Sequence, residues 1–152
     1  MARFNFRLQQ YLGIKEQLET QKELEYAKAI QKVEEEKQTL RTMEANRAAQ
    51  IADFQQKVLH TIDTVEIKFL NDSIERLKHL IKQQEERVRA AEAFAEQKRQ
   101  ELVEAMRERK ALEIVRDKAR EEYLLEENLA EQKAVDELVS FKYKIAQEQR
   151  SG

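Results

Sequence analysis

The chain contains no proline and, apart from its last residue, a single glycine, Gly13. Tight turns between strands draw on Gly and Pro above all, because one reaches positive φ freely and the other arrives with φ already fixed. With so few of either across 152 residues, a sheet joined by several hairpins cannot be built. Long helix remains. The rest of the composition agrees, since 38% of the residues are charged and the large apolar ones are spread singly. Lys and Arg (28) nearly balance Asp and Glu (30), so no overall field draws the chain to nucleic acid or anionic lipid. Absence of cysteine removes disulfides and thiolate metal sites and fits a reducing compartment. No apolar run is long enough to span a membrane, and the opening MARFNFRLQQYLG lacks a signal-peptide core. The chain reads as soluble and cytosolic, with no direct membrane insertion.

Apolar residues recur in alternating steps of three and four, the repeat of a coiled coil. A first series runs Tyr26, Ile30, Val33, Lys37, Leu40, Glu44, Arg47, Ile51, Phe54, Val58. A second runs without a slip through Ile74, Leu77, Ile81, Gln84, Val88, Ala91, Ala95, Lys98, Leu102, Ala105, Arg109, Leu112, Arg116, Ala119 and Tyr123. Alanines in it allow a partner helix to approach closely. Acid-to-base pairs three residues apart, such as Glu96–Arg99 and Glu113–Arg116, line the outer faces. Each is worth only about 0.2–0.5 kcal/mol.

The two series do not join smoothly. Between them lies LHTIDTVEIKF, rich in β-branched residues that lose side-chain freedom in a helix. Asp63 and Glu66 within it have the spacing of a capping box, as do Asp72 and Glu75 in NDSIE. The pattern therefore leaves three readings open: a turn at 60–64, a turn at 71–73, or one unbroken helix of about 225 Å. A break makes an antiparallel two-helix hairpin from one chain, a monomer; an unbroken helix needs a second chain and gives a structural coiled-coil homodimer. With the turn at 60–64, everything beyond Arg120 lacks an intrachain partner. That tail holds Leu124, Leu125, Leu129, Leu138, Phe141 and Ile145, and reads as a docking surface.

Nothing in the sequence assembles a catalytic constellation. There is no phosphate loop and no cysteine nucleophile, and His60 and His79 have no metal-ligand spacing around them. The basic patch at Lys98–Lys110 is interleaved with Glu101, Glu104 and Glu108, which makes it a poor phosphate track. No cofactor, metal or nucleic-acid partner is expected.

Three segments carry a resemblance. RFNFRLQQYLGIKE is similar to the aromatic-basic-aromatic, Leu-rich opening of the flagellar export protein FliJ family. VEIKFLNDSIERLKHLIKQQEE resembles the segment after that family's interhelical turn, and LVEAMRERKALEIVRDKAREEYLLEENLAEQKAVDELVSFKY its C-terminal half. The resemblance implies an all-α fold, a long antiparallel coiled-coil hairpin similar to the central stalk of rotary ATP synthases. Its helices would cover about 3–59 and about 64–148, with the turn near 60–64. It implies a non-enzymatic coupling factor of flagellar type III export, cytoplasmic and peripheral to the membrane. Expected partners are the export ATPase hexamer, the cytoplasmic region of the membrane export gate and the export chaperones. The gate stripe carries over to Ser73, Leu77, Leu80 and Gln84; Ser73 replaces the family's usual aromatic, and Phe69, one turn earlier, stands in for it. The contact with the ATPase ring falls on Leu124, Leu125, Leu129, Leu138 and Phe141, together with Phe4 and Leu8. A stalk protein of a virulence-type secretion system is the neighbouring reading.

Overall fold

The computed structural model describes residues 3–60 and 63–151. Two helices make up nearly all of it, α1 (Gln9–His60) and α2 (Thr64–Ser151). They pack against each other as an all-helical hairpin, and no strand occurs among the described residues. Thr61 and Ile62, in the middle of the expected turn, lie outside the described residues. Asp63 caps α2: its Oδ1 accepts from the amides of Val65 (3.1 Å) and Glu66 (3.5 Å), and its carbonyl accepts from Ile67. That satisfies donors which a helix start otherwise leaves bare. The rival stop at NDSIE is uninterrupted helix inside α2.

The amino-terminal end differs from the expected helix start near residue 3. Helix begins only at Gln9, whose amide bonds the Phe6 carbonyl at 3.1 Å. Ahead of it Phe4, Phe6 and Leu8 are half-buried while Arg3, Asn5 and Arg7 are exposed. A period of two belongs to extended chain that lays one face on its neighbour, and a helix would have turned the aromatic rings apart.

The chain divides into two compact units. In the unit Leu18–Ala105, Lys57 meets Glu66, Gln50 meets Ser73, Glu25 meets Lys98 and Lys22 meets Glu101 across the two helices. The residue numbers of each pair add to the same total, as an antiparallel register requires. Its tightest packing is Ala29, Val33 and Ala95, with Ala91 against them. Methyl side chains at those layers let the helices come close and bury backbone-proximal surface. Around the seam Lys22, Glu25, Lys98 and Glu101 form a linked charge group, with separations from 3.1 to 3.7 Å. In the unit Met1–Gln17 with Met106–Gly152, Leu12 is wholly buried. Lys15 pairs with Glu108 at 2.8 Å, and the Phe4 ring meets Tyr123 at 5.5 Å between centroids, tilted by 47°. There the Tyr123 hydroxyl is pushed above its ordinary range by burial first, then by its bond to Glu127.

Every member of the second sequence series, Ile74 to Tyr123, is buried or half-buried. The seam also runs back through Leu70 and Ile67. The first series needs correction. Tyr26, Val33, Leu40, Arg47 and Phe54 face inward, but Ile30, Glu44 and Val58 are exposed. Ala29, Met43 and Lys57 take their places. The inward stripe is Leu12, Lys15, Glu19, Lys22, Tyr26, Ala29, Val33, Glu36, Leu40, Met43, Arg47, Gln50, Phe54 and Lys57, an unbroken alternation of three and four. Of the outer acid–base pairs, Glu96–Arg99 closes at 2.7 Å, whereas Glu113 takes Arg109.

Candidate functional site

The hairpin presents two apolar surfaces, and each follows from where the seam stops using the side chains beside it. The first surrounds the start of α2. Lys57, the last inward residue of α1, donates to Glu66 Oε1 at 2.8 Å and lies 3.6 Å from Asp53. The Glu66 bond, then the Asp53 charge, hold the Lys57 ammonium above its ordinary value. This clasp ties the end of α1 to the first turn of α2. Beside it Leu59, Val65 and Phe69 are exposed by 78%, 77% and 69%, the most exposed large apolar side chains among the described residues. Leu59 and Val65 were not among the residues expected to contact a partner. Their signal was present, since they are apolar yet fall off both series.

The expected gate stripe lies along one side of α2 but is not evenly exposed. Phe69 and Leu80 are exposed, Ser73 and Leu77 are half-buried, and Gln84 is 3% exposed. Ser73 Oγ donates to Gln50 Oε1 at 3.0 Å, across the seam. Gln84 Nε2 donates to the Glu36 carbonyl at 3.0 Å and to the Glu36 carboxylate. Glu36 also pairs with Lys32 at 3.1 Å. The Gln84 bond, then Lys32, hold the Glu36 carboxyl below its ordinary value. The placement of Gln84 has a plain cause. It occupies a seam position of its own series, and a buried amide there must find a partner. Of the five residues, Phe69 and Leu80 are the ones free to meet another molecule.

The second surface is the carboxyl-terminal part of α2, in the unit that also holds the amino-terminal arm. Phe4 and Leu8 are half-buried in that arm, and Phe4 is spent on Tyr123. Beyond Glu127 every described residue of α2 is exposed. Leu124, Leu125, Leu129, Leu138 and Phe141 are exposed by half or more, and Val135, Val139 and Tyr143 accompany them. The structure thus separates the seven residues expected at the ATPase ring: five lie open, and two pack within the unit.

His60 and His79 are exposed. Among the described residues no group of three His, Asp or Glu side chains could hold a metal ion, and no helix is long and apolar enough to cross a membrane. A family model described as flagellar FliJ protein matches residues 4–148. No curated protein and no solved structure matches the chain.

Proposed function

Because the chain belongs to the flagellar FliJ family, and so has a role in flagellar export, we propose that it works as the stalk-like coupling factor of that apparatus. In this reading it is not an enzyme. It promotes assembly of the export ATPase ring, contacts the cytoplasmic region of the membrane export gate, and escorts export chaperones. It does so from the cytoplasm, at the periphery of the membrane. The observation that carries the reading is the bare apolar length of α2 from Leu124 to Ile145. Burying one large apolar side chain is worth about 1.5–3 kcal/mol, so a row of them left in water favours a partner strongly. The seam already satisfies both helices within one chain, which leaves this row as the available binding energy. A ligand shifts a ring between subunit states only through contacts that differ between those states. A stiff helix carrying Leu129, Leu138 and Phe141 supplies such contacts. Phe69 and Leu80, with Leu59 and Val65 beside them, supply the gate face.

The test is a double variant, Leu129→Ser with Leu138→Ser, assayed with the purified export ATPase. Loss of ATPase stimulation and of ring assembly is expected, with helicity and unfolding midpoint unchanged. Stimulation at the level of the unaltered chain would overturn the assignment of this surface.

A further inference from the structure

The exposed end of α2, whose apolar row the export reading assigns to the ATPase, also carries a pattern that complements itself. Ala134, Leu138, Phe141 and Ile145 follow one another in steps of four, three and four, the spacing of a helix seam. They are exposed and off the stripe that α2 uses against α1, whose next positions after Tyr123 are Glu126, Ala130, Lys133 and Glu137, none of them a large apolar residue. Charge is segregated along the same length. From Glu121 to Glu137 seven carboxylates stand against one base, and from Leu138 to Ser151 three bases stand against one acid.

We propose that two copies of this chain pair through residues 134–145 of α2, antiparallel, as a weak and reversible dimer. The occupant is a second copy because the stripe complements itself. In the antiparallel register Ala134 lies opposite Ile145 of the other copy and Leu138 opposite Phe141, so small meets large at the ends and the bulky pair fills the middle. The same register sets Glu137 on the flank that faces Lys144 of the other copy, twice, through the two-fold axis. A parallel pair would run the two acidic lengths, residues 121–137, alongside each other and the two basic lengths likewise, which is repulsive. Four seam layers make a short interface, so the pair yields to any partner that covers more of the row. The free chain then shields the surface it offers to the export ATPase. This inference does not rest on that partner: the pairing is read on the purified chain alone, and ATPase stimulation is read separately.

The test has two parts. Sedimentation equilibrium of the full chain should show monomer and dimer in exchange at low salt, shifting to monomer at high salt. Lys144→Glu should weaken the dimer about tenfold, and adding Glu137→Lys in the same chain should restore it to within about twofold. Orientation is read by cross-linking, which the absence of native cysteine makes simple. Under mild oxidation a mixture of Ala134→Cys and Ile145→Cys chains should cross-link, while either variant alone should not. In the proposed register the two Ala134 positions are about 16 Å apart along the axis, beyond the reach of a disulfide. A chain that stays monomeric up to about 1 mM at low salt overturns the proposal. So does equal cross-linking of a single variant, or a swapped pair no stronger than Lys144→Glu.

Discussion

Gln84→Ala tests the seam directly, because the same substitution separates a buried strut from a surface contact. Gln84 is 3% exposed and donates to the Glu36 carbonyl and carboxylate. Removing it deletes one buried methylene, worth about 0.8 kcal/mol, and empties the space of the carboxamide, which costs about as much again. It also loses the net worth of the bond to the backbone carbonyl, about 1 kcal/mol. Together these predict a loss of roughly 2–3 kcal/mol, if the helices do not close over the gap. For a chain of this size that lowers the melting temperature by roughly 5–10 °C. Urea and thermal unfolding followed by circular dichroism measure both. Gln84→Met, which keeps the volume and loses only the hydrogen bonds, should cost about 1 kcal/mol. Had Gln84 belonged to a gate-facing stripe, alanine would weaken gate binding and leave unfolding untouched. An unchanged midpoint for Gln84→Ala would therefore refute the buried placement.

Gly13→Ala should stabilise the chain by about 0.5–1 kcal/mol, since an added methyl meets nothing within 4 Å and the φ of Gly13 is not positive; a lowered midpoint would contradict this. Asp63→Ala should cost about 0.5–2 kcal/mol through the lost cap, and Asp63→Asn should cost far less. Faster amide exchange at Val65 and Glu66 in the alanine variant is the local check. The Glu36 carboxyl is held below its ordinary 4.5, first by Gln84. A depressed carboxyl contributes its full stability above 4.5 and loses it as pH falls through the folded value. The stability gap between the unaltered chain and Gln84→Met should therefore shrink between roughly pH 6 and pH 3, and a gap that widens on acidification would contradict the pairing.

Much of this was legible in the sequence for reasons that can be traced to particular residues. The α2 seam was readable because Ile74, Leu77, Ile81 and Val88 are large, singly spaced and flanked by charge, so one phase of the repeat fits them. Phe4 and Leu8 were legible as apolar, but the non-helical backbone at Phe4 and the turn at Leu8 were not. The alternation in RFNFRL is short, and helix formers follow it directly. At Gln84 the gate stripe and the seam series overlap, and spacing alone places a residue on a face without saying whether that face is covered.

What the sequence by itself determined is the helical state and the inward face of α2. Both are local consequences, the first of missing Pro and Gly and the second of a repeat that each residue carries with it. The second inward position of α1 is different. In α1 the neighbours Ala29 and Ile30, Glu36 and Lys37, Met43 and Glu44 fit a three-four repeat equally well, and hydrophobicity even favours Ile30 over Ala29 as the inward residue. Only the partner helix separates them. Ala91 and Ala95 of α2 leave room for close approach, which selects Ala29, and Gln84 offers an amide that Glu36 can accept. Once one such layer is set, the heptad carries the choice along to Met43, Gln50 and Lys57, and Ile30 and Val58 are turned outward. Tertiary packing decided that phase because a one-residue shift costs a lone helix little, whereas it misplaces every layer of a pair.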